Sequence, residues 1–113
     1  IEEQLARHPD TTALIVHNEA ILSFVLEILA QRGLRVPDDI AIIAIAPDDV
    51  ARNLRIPVSN ITIPAAEIGR DAVRILFDVI DGRQPDSRLV EPALTVRSSF
   101  HPREESVRDR EVQ

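Results

Sequence analysis

The chain has 113 residues, of which 44% are hydrophobic, and a net charge of −6. This acidic balance excludes a free-standing nucleic-acid-binding protein, which would need a basic face, and the length favours one modest domain. The absence of cysteine excludes disulfides, thiolate catalysis and cysteine-ligated zinc. Every apolar run is shorter than the roughly 18 residues of a membrane span. Because the chain starts at Ile1 and contains no methionine, we expect a fragment or a processed product.

The first third of the sequence predicts a strand between two helices. Residues 1–8 are typical of the end of a helix, and the apolar run ALIVH at residues 13–17 predicts a buried strand. Asn18 then takes the position of a helix N-cap. The helix that follows is expected over residues 19–32 and should end at Gly33, a residue that suits the C′ position.

The middle of the sequence predicts two further strands. Residues 41–46 form a run that is apolar at every position, directly after the turn at residues 37–39. A strand without polar alternation is typical of a parallel sheet whose two faces are both covered by helices. Residues 48–54 predict a helical turn, and residues 59–63 predict the third strand.

An amphipathic helix and a final strand region are predicted after the third strand. The helix is expected over residues 64–81, with Pro64 in its first turn and Gly82 at its end. Its apolar stripe comprises Ile68, Ala72, Ile75, Leu76, Val79 and Ile80. Residues 89–99 predict the last strand or strands, and the charged tail 101–113 is expected to be disordered. The alternation of strands and helices predicts an α/β fold with a parallel sheet flanked by helices.

Polar side chains follow the first two strands, at the edge where ligands bind in open α/β sheets. His17, Asn18 and Glu19 come after the first strand, although Asn18 alone is also explained as a helix cap. His17 and Glu19 lack a nearby third ligand, so we predict no metal site. Asp48 and Asp49 follow a proline and are more typical of a turn than of an acid–base pair. We therefore predict neither catalysis nor a cofactor.

The helix over residues 19–32 is apolar on more than one side. Its polar residues Ser23, Glu27 and Gln31 are spaced by four and form one narrow stripe. One apolar side must cover the sheet. The remaining apolar surface predicts a second buried contact, either within the same chain or with another subunit.

Four motifs occur in order between about residue 5 and residue 100. They are ALIVHNEAILSFVLEILAQRG, LRVPDDIAIIAIAPDD, the pair PVSNIT and EIGRDA, and LTVRSS. Their order and spacing resemble LacI/GalR-type transcriptional regulators, with the patterns strand–Asn-Asp–helix, GLxVPxDhxhhGFDD, PLTTh followed by ELGxxA, and LxhRxS. The resemblance covers most of the chain.

This resemblance implies part of a two-lobed, periplasmic-binding-protein-like (type I) effector domain of a cytoplasmic regulator. Residues 1–63 would be an incomplete C-terminal subdomain, residues 64–95 a helix and strand of the other subdomain, and residues 96–100 a return strand. The implied partners are a small effector such as a sugar, a second copy of the chain, and operator DNA bound through a domain absent here. No membrane partner is implied. The alternative is the C-terminal lobe of a transporter-linked sugar-binding protein.

The resemblance also assigns ligand-binding residues. Asn18 matches the strand-end asparagine that often bonds the effector, and Glu19 replaces the usual aspartate. The motif GFDD falls on residues 44–47, which places Ala46 where the family has its ligand-binding aspartate. Asp48 lies two positions further on and is the candidate to compensate, with His17 completing the predicted ligand-binding set.

In dimers of this family, the helix after the first strand packs against its twin. The resemblance therefore implies an interface built from that helix and the segment after the second strand. The predicted interface residues are Ile21, Leu22, Val25, Ile28, Leu29, Val50, Leu54 and Ile56. Since most of the other subdomain is absent, we expect helix 64–81 to pack on its own sheet or to exchange with a second copy.

Overall fold

The structure, a computed structural model, describes residues 1–101. The elements are α1 (Glu2–Arg7), β1 (Ala13–Val16), α2 (Leu22–Gln31), β2 (Ala41–Ile45), α3 (Asp48–Arg52), β3 (Ser59–Thr62), α4 (Ala65–Ile80) and β4 (Ala93–Thr95). A short 3-10 turn, Glu19–Ile21, leads into α2. The predicted elements are therefore present in the predicted order. Apart from His101, the tail expected to be disordered lies outside the described residues.

The four strands form one sheet in the order β1-β2-β3-β4. The first three strands are parallel, with Ile15 opposite Ile43 and Ile45 opposite Ile61. This confirms the predicted α/β fold with a parallel sheet. The last strand departs from the prediction, because β4 runs antiparallel to β3 with Leu94 opposite Ile61.

The C-terminal segments differ in part from the expected arrangement. Residues 93–95 are hydrogen-bonded to β3. The assignment of residues 64–95 to another subdomain stays a prediction. The return strand predicted at residues 96–100 is wrong, because those residues form no strand. They are held by side-chain hydrogen bonds and by one backbone hydrogen bond, from the Ile42 N–H to the Ser99 carbonyl at 2.8 Å.

The hydrophobic core lies on one face of the sheet, between β1–β3 and the helices α1 and α2. Its buried apolar residues are Leu5, Val16, Leu22, Val25, Leu26, Leu29, Ile40, Ile42, Ala44, Ala46, Ala51 and Val58. Each fully buried leucine or isoleucine contributes about 1.5–3 kcal/mol to folding. Gly33 ends α2 as predicted, with a φ of 71° that favours glycine.

The second face of the sheet is only partly covered within residues 1–101. Along β2, Ile42 and Ala44 are buried, whereas Ala41, Ile43 and Ile45 are half-buried. Successive strand residues point to opposite faces, so this alternation means that one face lacks a helical cover. Within residues 1–101, the expectation that both faces of β2 are buried is therefore wrong.

A buried polar network fastens residues 97–99 to β2 and β3. The Ser99 hydroxyl donates to the Ile42 carbonyl at 2.6 Å and accepts from the Ser59 backbone N–H at 2.7 Å. The Arg97 guanidinium donates to the Val58 carbonyl at 3.1 Å, to the Asn60 Oδ1 atom and to the Asp48 carboxylate. We call these contacts the Arg97 network. Its partners come from three separate segments, so it ties the end of the described chain to the sheet.

Helix α4 keeps most of its apolar stripe exposed. Ile68, Leu76, Val79 and Ile80 are each more than 40% accessible to solvent. The expectation that this helix packs on its own sheet is therefore wrong. The buried residue of α4 is instead Asp71, on the polar side, where Arg88 of the following loop bonds its carboxylate at 3.0 Å.

The turn before β2 is closed by one arginine and one aspartate. The Arg35 backbone N–H donates to the Asp39 carboxylate at 2.8 Å, and the guanidinium donates to both carboxylate oxygens at 2.9 and 3.1 Å. The hydrogen bond from the Arg35 side chain, followed by that from its backbone, holds the pKa of Asp39 below its usual value. Asp39 is therefore a turn residue, as predicted.

Acid should weaken this turn. The Asp39 pKa is lower in the folded chain than the unfolded value of about 3.9, so its stabilising contribution is present above that pH and is lost as the pH falls through the folded pKa. We expect a carbon-detected NMR titration to show the low pKa. In R35Q the Asp39 pKa should rise toward the unfolded value. An unchanged Asp39 pKa in R35Q would contradict this origin of the shift.

Replacing Arg97 with alanine should destabilise the fold by about 1–3 kcal/mol, because the buried oxygens of Val58 and Asn60 lose their donor. R97K should restore only part of the loss, since an ammonium group lacks the planar fork of guanidinium. Urea unfolding followed by circular dichroism measures the change. The matched control is R70A at an exposed position of α4, expected to stay within about 0.5 kcal/mol. Equal losses in the two variants would refute this role of Arg97.

Candidate functional site

The carboxyl ends of β1, β2 and β3 meet at one edge of the sheet, because the three strands are parallel. A cavity of about 460 Å³ at this edge is lined by Glu19, Ile45, Ala46, Pro47, Asp48, Ile61, Thr62, Ile63 and Ala65. A second cavity of about 380 Å³ is lined by His17, Asn18, Glu19, Ile45 and Ile63. The two share three lining residues, so we describe them together as the strand-edge cleft.

All four predicted ligand-binding residues line the strand-edge cleft. His17 and Asn18 line the smaller cavity, Asp48 lines the larger one, and Glu19 lines both. The fold therefore brings these predicted residues together, although Asp48 is about 30 positions from the other three in the chain. Their role in binding a ligand stays a prediction.

Asn18 acts as a helix cap in the structure. Its Oδ1 atom accepts a hydrogen bond from the Ala20 backbone N–H at 2.9 Å. This contact fixes the side chain at the rim of the cleft and uses only its oxygen. The amide nitrogen is still a possible donor, since an amide offers two N–H groups. The cap and a ligand contact are thus compatible at this residue.

Asp48 is held by Arg97, a partner that was not predicted from the sequence. Its carboxylate accepts from the guanidinium of Arg97, whose side chain is only 14% exposed. Part of the hydrogen-bonding capacity of Asp48 is consequently used within the chain. Ala46, at the position of the family's aspartate, is buried and offers no polar side chain. The β2 side of the cleft is therefore less polar than the family pattern implies.

Asn60 is a second residue that supports the cleft and was not predicted from the sequence. It is fully buried, and its Nδ2 atom donates to the Ala46 carbonyl at 2.9 Å and to the Thr62 hydroxyl at 2.8 Å. These bonds join the ends of β2 and β3 directly beneath the cleft. A signal was present in the sequence, because polar Ser59 and Asn60 stand together directly after Val58 in a segment predicted to be a strand. Buried polar groups need partners.

The chemistry of the cleft suits recognition of a small molecule. Apolar walls with a few polar groups at the rim are typical of binding sites for small ligands. Within residues 1–101, no three histidine or acidic side chains are grouped so as to hold a metal ion. In the same part of the chain, every helix is too short or too polar to cross a membrane.

The predicted dimer interface divides between the two sides of α2. Leu22, Val25 and Leu29 are buried in the chain's own core, so the prediction that they face a second subunit is wrong. Their spacing of three and four residues places them on one side of α2, and that side packs on the sheet. The outer face of α2 instead carries Ile21 and Phe24, which are 48% and 67% exposed.

The other predicted interface residues are half-buried. Ile28 is half-buried on α2, one turn beyond Phe24. Val50, Leu54 and Ile56 are also half-buried, and Leu54 packs partly against the core. Phe24 was absent from the predicted set, although it is the most exposed large apolar residue of α2.

Comparison with known proteins gives a consistent family. Residues 1–100 match the family described as periplasmic binding protein-like domain. The chain is 31% identical over 101 residues to the HTH-type transcriptional regulator CelR of Thermobifida fusca, covering 88% of this chain and 30% of that protein. It is 30% identical over 103 residues to the HTH-type transcriptional repressor PurR of Aliivibrio salmonicida, covering 89% and 31%. The chain thus spans about a third of the length of these relatives.

Solved structures agree with this result. A transcriptional regulator CelR–cellobiose complex superposes with a TM-score of 0.77 at 32% identity, over 88% of this chain and 31% of that one. A LacI family transcriptional regulator from Bifidobacterium animalis shares the fold, with a TM-score of 0.82 at 24% identity over 89% and 38%. The chain belongs to the periplasmic binding protein-like domain family, and its motifs and relatives place it with the LacI/GalR-type transcriptional regulators.

Proposed function

We propose that this chain is the effector-sensing and dimerisation portion of a cytoplasmic LacI-type transcriptional regulator. The observation that carries the proposal is the strand-edge cleft, where His17, Asn18, Glu19 and Asp48 converge in a chain of this family. The effector binds in the cleft, and operator DNA is bound by a domain outside this chain. The role is one of binding, with no chemical step.

The effector is a small molecule of the sugar class. The similar regulator CelR was solved as a complex with cellobiose, which is a sugar. Asn18 and Glu19 supply the polar contacts, since the first offers amide donors and the second a carboxylate acceptor. Ile45 and Ile63 form the apolar side and take the less polar face of the ligand. With Ala46 lacking a polar group and Asp48 bound to Arg97, recognition depends on the β1 side of the cleft.

Dimerisation uses the outer face of α2. Ile21 and Phe24 are exposed there, and half-buried Ile28 continues the same face. Half-buried Val50 and Ile56 extend the apolar surface from the segment that follows β2. Large apolar side chains exposed on one helix face are typical of a protein–protein interface. A second copy related by twofold symmetry would cover it with the same residues.

The complete reading frame that contains this chain tests the regulator proposal. We expect it to encode a helix-turn-helix segment upstream of residue 1. The purified protein should retain DNA from its own promoter region in a mobility-shift assay. A signal peptide upstream would instead support a sugar-binding protein of a transporter, and would overturn the proposal.

The same protein tests the ligand contacts. Glu19→Gln removes a charged acceptor, so the concentration of cellobiose or another responding sugar that alters DNA binding should rise about tenfold or more. DNA affinity without sugar should not change. Glu3→Gln, at an exposed position of α1, is the matched control. If the two variants respond to sugar equally, Glu19 has no role in binding.

Phe24→Glu in the complete protein should convert the dimer to a monomer, because it places charges on both sides of a twofold interface. Light scattering measures the mass, and circular dichroism should stay native since Phe24 is exposed. Leu89→Glu is the matched control, because Leu89 is also apolar and is 94% exposed. A dimer that survives F24E would rule out the outer face of α2 as the interface.

A further inference from the structure

A groove opens at the end of α2, on the edge of the sheet opposite the strand-edge cleft. Helix α2 starts after the carboxyl end of β1 and ends before the amino end of β2, so its last turn lies at this opposite edge. The groove has a volume of about 330 Å³. We call it the α2 groove, and the residues that line it include Ala30, Leu34, Arg35, Val36, Arg55 and Ile56.

The α2 groove combines apolar walls with one cation that has no partner in the described part of the chain. Arg35 is already neutralised, because Asp38 and Asp39 lie 3.5 and 2.9 Å from its guanidinium. Arg55 is exposed and takes part in no ion pair within residues 1–101. The remaining lining side chains named above are apolar. The positive charge of the groove is therefore that of Arg55.

Phe24 and Glu27 lie next to each other on the outer side of α2. A spacing of three residues makes them neighbours on the helix surface, and the same spacing places Ala30, at the edge of the groove, next to Glu27. Phe24 is 67% exposed. The Glu27 carboxylate accepts from the Gln31 Nε2 atom at 3.0 Å and has no cationic partner among residues 1–101.

We propose that Phe24 of each copy enters the α2 groove of a second copy, and that Glu27 beside it pairs with Arg55 of that copy. The inference rests on the proposed dimer and adds the register of its two helices. An aromatic side chain next to a carboxylate meets an apolar groove next to a guanidinium, so the two surfaces are complementary in shape and charge. Because one chain carries both, a twofold axis satisfies both at once.

The two contacts contribute in different ways. An aromatic residue seated in a pocket is typical of the few side chains that carry most of the binding energy. The pair of Glu27 with Arg55 lies at the rim, where an exposed ion pair adds little affinity. Like charges at the same place would repel, so the pair rejects partners with the wrong charge. Glu27 and Arg55 therefore select a second copy of this chain over related regulators.

Charge reversal in the complete protein tests the pairing. Glu27→Arg and Arg55→Glu each place like charges at both contacts, so the dimer dissociation constant should rise about tenfold or more for either variant. The double variant E27R/R55E should return to within about threefold of the natural protein, because the pair is restored with its signs exchanged. Sedimentation equilibrium in low-salt buffer measures the constants, and R70E, at an exposed position of α4, is the matched control.

A mixture of the two single variants gives a second readout. E27R and R55E should pair with each other in preference to themselves, since both contacts are then between opposite charges, and native mass spectrometry distinguishes the three species. A structural defect in either variant would not produce this preference. The proposal is overturned if E27R dimerises as tightly as the natural protein, or if the double variant is no tighter than the single ones.

Cross-linking tests the register directly. In a version of the complete protein without other cysteines, Glu27→Cys mixed with Arg55→Cys should be linked between chains by a short bismaleimide, and each variant alone should link far less. Stronger linking of E27C to itself would refute the register, because it would mean that the two helices meet at residue 27. Loss of the dimer in F24E with an unaffected E27R dimer would leave the α2 interface in place and remove only this pairing.

Discussion

The Arg97 guanidinium is the interaction on which the arrangement of the cleft depends. It joins the carbonyl of Val58, which precedes β3, to Asn60 in β3 and to Asp48 at the start of α3. A guanidinium can do this because its planar fork offers five donors in fixed directions. The Arg97 side chain therefore holds Asp48 at the cleft and, together with the Ser99 hydroxyl, attaches the last described residues to the sheet.

The Arg97 network also explains why this cleft departs from the family pattern. The family places an aspartate at the end of the second strand, and this chain places Ala46 there. The nearest carboxylate, Asp48, already neutralises Arg97. The free polar groups are consequently concentrated after β1, where Asn18 is fixed by its capping bond to Ala20. A ligand held mainly from one side has fewer polar contacts, so the match between its apolar face and the walls of Ile45 and Ile63 matters more.

Local patterns in the sequence were sufficient to predict the elements and the residues at the cleft. Asn18 and Gly33 mark the bounds of a helix by their backbone chemistry, and neither depends on distant contacts. The direction of β4, the covered face of α2 and the partner of Asp48 are different. Arg97 lies 49 positions from Asp48, so no local pattern reveals their contact. Leu22 and Phe24 are both apolar, and only the packing of α2 on the sheet decides which of them is buried.

Within residues 1–101, the stripe of α4 and the second face of the sheet are two apolar surfaces without a full cover. The free energy of burying them can be compared with the small net stability of a domain. Burying an isoleucine or leucine contributes about 1.5–3 kcal/mol, whereas the net stability of a domain is about 5–15 kcal/mol. The exposed residues of the α4 stripe, together with Ile15 and Leu94 on the sheet, therefore represent a free energy comparable to the whole net stability of folding. Surfaces of this size are normally covered in soluble proteins. The ion pairs of Asp71 with Arg88 and of Asp78 with Arg83 engage the polar side of α4, so its apolar stripe is the side that remains available for packing.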